Sequence, residues 1–274
     1  MTPLDPAERP ALAQFLRARL AGSMFPLSNL AGTGRAMRVW CQHEAGQISG
    51  MIGLTDDGML LPQWPGADWA AARAVLKGAA VCGIVGPAAQ VSALRRALAL
   101  DDAACKLDAV EPGFALDLGA LITPPAQGAR LAIPDAAEAV LLTEWRAGYA
   151  QEVLGEPAAT ARETAAQTVA QWLRAGTHRL LQRDGQFLAL TGFNADLGDA
   201  VQVGGVYCPP AMRGQGLARL AVALHLAEAR DRGASKAVLF ATSAPAARAY
   251  RAIGFKPAGE IALVLFSAQQ RVQP

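Results

Sequence analysis

The stretch Val201-Gln202-Val203-Gly204-Gly205-Val206-Tyr207-Cys208-Pro209-Pro210-Ala211-Met212-Arg213-Gly214-Gln215-Gly216-Leu217-Ala218 decides how this chain is read. Its apolar first part predicts a strand over 200–208, and the glycine-rich turn that follows opens a helix whose apolar stripe is Leu217, Leu220, Ala221 and Leu224. A helix start leaves backbone N–H groups unpaired and carries partial positive charge, and glycines let an anion approach the main chain. Such a turn suits a phosphate or pyrophosphate. Gly204-Gly205 weakens the strand that leads into it and marks a bulge or a close ligand approach.

Neither common nucleotide fingerprint fits this turn. A Walker loop needs G-K-[ST], and no lysine follows; a dinucleotide fold places G-x-G-x-x-G after its first strand, whereas this turn follows a meander. Arg213-x-x-Gly216-x-Ala218 instead resembles the R/Q-x-x-G-x-G/A pyrophosphate loop of the GNAT superfamily of N-acetyltransferases. Further on, Ser243-Ala244-Pro245-Ala246-Ala247-Arg248-Ala249-Tyr250-Arg251-Ala252-Ile253-Gly254-Phe255 resembles that family's N-x-x-A-x-x-x-Y-x-x-x-G-F signature, with Ser243 in place of the usual Asn. The resemblance is specific from about Arg130 to Phe266; before that it concerns element order only.

The resemblance implies a site. Main-chain groups of Val206, Tyr207 and Cys208 would pair with pantetheine, and one of their amides would polarise the thioester carbonyl. Arg213, Gly214, Gln215, Gly216, Leu217 and Ala218 would hold the pyrophosphate, with Ser243, Ala246 and Tyr250 completing the cofactor contacts. Tyr250 would protonate the leaving thiolate, a task that suits a phenol of pKa near ~10. Without the motif, Tyr250 reads as a core tyrosine on an amphipathic helix.

Removing the acceptor's proton is a separate task, and the strand before the loop offers only Gln202 where many family members carry Glu. Glu152, Glu156 or an ordered water would take that proton, and Tyr149, Glu152 and Gln202 are the candidate substrate contacts. Cys208 has no paired His or Asp in sequence and reads as a small apolar strand residue.

The chain also looks duplicated. Gly46-Gln47-Ile48-Ser49-Gly50-Met51-Ile52-Gly53-Leu54 parallels Gly185-Gln186-Phe187-Leu188-Ala189-Leu190-Thr191-Gly192-Phe193, an offset of 139 residues between Gly46 and Gly185. Hairpins are expected over 38–54 and 178–193, with strands over 79–85, 234–241 and 261–266. Helices are expected near 11–20, 87–100, 141–153, 216–232 and 245–253, with an Ala-rich one ending near Gly78 and one bearing Val169, Trp172 and Leu173 ending at Gly176, a loop over 62–66 and a linker over 121–130. The expected class is α/β with α+β character: a mixed twisted sheet flanked by helices, a GNAT-like fold repeated as 1–122 and 129–274. In the first copy, Gln63-Trp64-Pro65-Gly66-Ala67-Asp68 keeps Q-x-x-G but sets Asp68 where phosphate would be repelled, and Ser92 stands near the tyrosine position. That copy reads as degenerate.

Composition sets the remaining bounds. The 274 residues are 52% hydrophobic and 18% charged, enough for a sizeable core and unlike a disordered chain. A net charge of +2 leaves no electrostatic footprint for nucleic acid or an anionic membrane. Asp5, Glu8 and three prolines occupy the first ten residues, where a secretory signal needs a basic start and an apolar run, and no stretch reaches membrane-span length. Cys41, Cys82, Cys105 and Cys208, like His43, His178 and His225, lack metal-ligand spacing. The expectation is a cytoplasmic N-acetyltransferase, monomer or homodimer, using acetyl-CoA as co-substrate, with no metal, acetylating an amine by direct attack on the thioester. The alternatives are an acyl-CoA or amino-acid sensor without turnover, and transfer from another acyl-CoA.

Overall fold

The computed structural model describes residues 1–66 and 68–273; Ala67 and Pro274 lie outside the described residues. The chain forms two compact units, Met1–Gly113 with Ala258–Pro274, and Phe114–Pro257.

The first unit opens with β1 (Thr2–Pro3), α1 (Arg9–Arg17) and α2 (Met24–Leu30). In α1, Leu12, Phe15 and Leu16 recur at helical spacing and form its buried face. β2 (Met37–Glu44) and β3 (Gln47–Thr55) follow, joined by Ala45-Gly46, both at positive φ, as a tight two-residue hairpin demands. Next come β4 (Met59–Gln63), α3 (Trp69–Leu76), β5 (Ala80–Pro87), α4 (Ala88–Ala97) and β6 (Cys105–Asp117). The loop expected over 62–66 is therefore partly strand. Pro62 pairs with Ile52 on the β3 side, and the parallel β4–β5 ladder runs only over Met59 and Leu60, so the proline removes no donor from that ladder.

The second unit starts within β6 and runs through β7 (Arg130–Ala132), α5 (Ala139–Leu154), α6 (Ala158–Ala175), β8 (His178–Arg183) and β9 (Gln186–Asp196). The turn between β8 and β9 is again two residues at positive φ, Asp184-Gly185. β10 (Ala200–Tyr207), α7 (Leu217–Asp231), β11 (Lys236–Phe240) and α8 (Ala244–Arg251) complete it. Strand order is β6-β11-β10-β9-β8-β7, and Val222 and Leu226 of α7, Tyr250 of α8 and Ile253 just after it are buried with Val201, Val203 and Leu239. A second cluster packs Leu142 and Trp145 of α5 and Val169 of α6 against Leu180 and Leu190.

The last strand, β12 (Lys256–Arg271), is longer than the 261–266 expected, and packing assigns it from Ala258 onward to the first unit. It runs antiparallel to β5, pairing Ile261 with Pro87 and Val264 with Ile84, and it adds Ala262, Val264 and Phe266 to the core built on Ile84 and Leu94. The first unit's order is accordingly β1-β2-β3-β4-β5-β12-β6. Chain order alone would divide the protein at 1–122 and 129–274; the second unit is instead the continuous segment Phe114–Pro257, and the first takes back the C-terminal segment from Ala258 onward.

Candidate active site

Strand β10 carries the site because it leaves its neighbour partway. Its parallel pairing with β11 covers Ala200, Val201 and Gln202, opposite Lys236, Ala237 and Val238; Val203 to Tyr207 run on without a β11 partner. On the β9 side, register shifts at Gln202/Val203 and between Gly204 and Tyr207 mark bulges, and Gly205 has φ +64°. The glycine pair is explained by what lies over it. A Cβ on Gly204 would run into the Asn194 amide, and one on Gly205 would lie 3.0 Å from His178 Nε2.

The strand end is tied to α5. Tyr207 donates its hydroxyl hydrogen bond to Glu152 Oε1 at 3.2 Å, and the Arg213 guanidinium meets Glu152 Oε2 at 2.6 Å. Arg213 Nε also donates to the Cys208 carbonyl at 2.9 Å, with the guanidinium 5.7 Å from the Tyr207 ring centre. Burial, then the Glu152 carboxylate, push the Tyr207 phenol above its ordinary pKa; hydrogen bonding to Glu152 raises that of Arg213. Gly148 makes this contact possible, because a Cβ there would lie 2.7 Å from the Tyr207 hydroxyl oxygen. Tyr207, Cys208, Glu152 and Arg213, expected as separate contacts, thus form one cluster. Glu152 and Arg213 are 40% and 47% exposed, so solvent and solutes reach the pair.

Beyond Arg213, Gly214 and Gly216 have φ +80° and +74°, and Gly214 faces open space. Gly216 is the N-cap of α7 and supplies no capping side chain, so the first N–H groups, those of Leu217, Ala218 and Arg219, have no intrahelical acceptor. Arg219, missed in the sequence, folds back toward this end: its Nη2 would lie 3.2 Å from a Cβ on Gly216, and its buried Nε has no hydrogen-bond partner. A cation at the positive end of a helix is an arrangement that an anion between them would relieve. Gln215 is exposed and Leu217 is buried under the loop, so the residues expected to cradle a pyrophosphate do surround an open helix start.

The other candidates are more scattered. Val206 and Ala246 pack against the cluster that contains Tyr250, which is 8% exposed and edge-on to Phe255 at 6.1 Å between ring centres. Ser243 caps α8, its Oγ accepting from the Ala246 N–H at 3.3 Å. Tyr149 lies beneath the Arg146 guanidinium at 5.4 Å. Gln202 is 1% exposed with neither amide atom partnered, and Glu156 accepts from Thr164 of α6 at 2.8 Å. Burial pushes the Cys208 thiol up, away from the thiolate a nucleophile needs. Among the described residues, no helix is long and apolar enough to cross a membrane.

Comparison with known proteins identifies this arrangement. Residues 141–255, which include β10, the turn, α7 and α8, match the model of the acetyltransferase (GNAT) family. That segment is similar to GNAT acetyltransferase domains. GNAT enzymes use acetyl-CoA as co-substrate. The fold is similar to that of a GNAT-family acetyltransferase from Colwellia psychrerythraea (17% identity, 97% of this chain and 99% of that one, TM-score 0.55). It is equally similar to a tandem GNAT protein from the clavulanic acid biosynthesis pathway (17%, 100% and 98%, TM-score 0.57). A GNAT protein from Kribbella flavida aligns over 93% of this chain and 95% of its own (20%, TM-score 0.55). No curated protein sequence matches.

Proposed function

We propose that the GNAT domain transfers the acetyl group of acetyl-CoA directly to an acceptor amine, and that the carrying observation is the open N-terminus of α7. Gly216 leaves that end uncapped, and Arg219 adds charge to it, beside the length of β10 that lacks a β11 partner. The first half offers a contrast: the start of α3 is filled by its own anion, since Asp68 caps it by accepting from the Ala70 N–H at 3.1 Å. Gln63 of the same turn is buried in hydrogen bonds to Ser23 and Gln90. Among the described residues of these two turns, the second leaves its helix start open to an anion, which is the contrast a degenerate first copy would give.

Acetyl-CoA supplies an activated carbonyl with a thiolate leaving group. N–H groups of Val206, Tyr207 and Cys208 would donate to the carbonyl oxygen as negative charge grows there. Leu217, Ala218 and Arg219 would hold the pyrophosphate through main-chain N–H groups and the Arg219 side chain. The amine nitrogen bonds to the carbonyl carbon as the C–S bond breaks, Tyr250 gives its proton to sulfur, and the acceptor's proton leaves through Glu152 or water. A cationic amine is the acceptor class that Glu152 favours.

A second reading, thioester binding without turnover, is favoured by Gln202, a buried amide that cannot accept the acceptor's proton. Thiol release from acetyl-CoA with a panel of mono- and polyamines separates the two. Amine-dependent release with matching N-acetylated product supports transfer. Tight acetyl-CoA binding with no product from any amine supports the sensor.

A further inference from the structure

The Arg213–Glu152 pair joins two residues that the transfer mechanism needs for different partners. Arg213 leads into the turn before α7, and Glu152, on α5, sets a carboxylate against Tyr207 at the end of β10. Here each engages the other, at 2.6 Å. We propose that Arg213 exchanges anions: it holds Glu152 in the free protein and moves to the diphosphate of the acyl donor when the donor binds, which frees the Glu152 carboxylate for a cationic acceptor. The inference rests on the reading of the α7 turn as the donor's diphosphate site.

The geometry favours such an exchange. Both side chains are half-exposed, and an exposed ion pair is weak and screened by salt, so a diphosphate with more charge and more acceptor oxygens competes well. Arg213 keeps a tether through Nε to the Cys208 carbonyl, so it can turn without leaving the strand end. Glu152 keeps one too: the Tyr207 hydroxyl donates to Oε1, the oxygen other than the one that meets Nη2 of Arg213. The carboxylate released by Arg213 therefore stays aimed at the end of β10, where the thioester is expected. The consequence is an order of binding, donor before acceptor, and weak acceptor binding to the free protein because its carboxylate is already engaged.

Calorimetric titration of CoA into the wild type, Glu152→Gln, Arg213→Gln and the double variant tests this, with pantetheine as a probe lacking the diphosphate. Glu152→Ala is a second variant in case glutamine still engages Arg213, and circular dichroism verifies folding. Removing the Glu152 charge should tighten CoA binding about 2- to 5-fold at low ionic strength, the size that an exposed ion pair allows. It should do nothing in the Arg213→Gln background and nothing for pantetheine. Saturating CoA should also tighten spermidine binding to the wild type but not to Glu152→Gln. CoA affinity that is unchanged or weaker in both Glu152 variants, while Arg213→Gln weakens it, would overturn the exchange and leave the pair as a fixed brace. Failure of CoA to bind the wild type at all would remove the donor-site reading, and the exchange with it.

Discussion

Tyr250 packs its ring against Phe255 within a buried cluster, so the role assigned to it depends on the hydroxyl alone. Tyr250→Phe keeps the ring and should lower kcat about 100-fold, the usual size of a lost general acid, with CoA affinity nearly unchanged. Unchanged steady-state turnover would refute the assignment. Two buried histidines contribute acid sensitivity to the fold. Burial first, then the nearby Arg179 and Arg146, hold His178 at a pKa of about 3; burial, Arg179, His178 and Arg232 hold His225 at about 2. Both values lie below the ordinary 6.5, so between there and the folded values the unfolded chain binds protons that the folded chain refuses. Stability from this source is full above pH ~6.5 and declines on acidification through that window. His225→Phe, which keeps a ring stacked on Phe193, should lose less urea stability between pH 7 and 5 than the wild type; equal losses would contradict it. At this scale the sequence was informative about the motif residues and silent about Arg219 and Gly148. Both act through close approaches that only the fold creates, one onto the start of α7 and one onto Tyr207.

Among the elements, the two hairpins and helices α7 and α8 were legible because their signals are local: positive-φ turns between alternating strands, and apolar stripes at helical spacing. β6 was not. Its first half alternates exposed Lys106, Asp108 and Val110 with half-buried neighbours and contains Pro112, so its apolar content reads as weak until its partners are known. β7 is three residues long and α2 seven, too short for periodicity to declare them. The expected helix over 11–20 also ends earlier, at Arg17. β12 carries a prediction at this scale. It supplies Ala262, Val264 and Phe266 to the first unit's core, with Val272 just past its end, and pairs with β5 over Ile261 to Leu265 and again at Gln270 and Arg271. A fragment of residues 1–122 should therefore fail to melt cooperatively by circular dichroism, and adding a peptide of residues 256–273 should restore a transition. A cooperative melt of the fragment alone would show that β12 is dispensable there.

For the molecule as a whole, the sequence indicated two related halves, and the strand orders β1-β2-β3-β4-β5 and β7-β8-β9-β10-β11 repeat with a parallel pair at the same place in each. The offset of 139 residues holds for the hairpins; the crossover helix has 8 residues in the first half and 15 in the second, which lengthens the spacing beyond it. Which strand closes each unit was not readable, because both closing strands arrive from far along the chain and pair through backbone groups that carry no sequence signature. The halves also differ at the start of that crossover helix, Asp68 in one and Gly216 in the other. On this account acetyl-CoA binds once per chain, at the second of these. The most direct test is calorimetric titration of acetyl-CoA into the wild type and into Gly216→Glu, which sets a carboxylate at the start of α7, with circular dichroism to verify the fold. The account predicts one site per chain in the wild type and none in the folded variant; equal binding in both would contradict it.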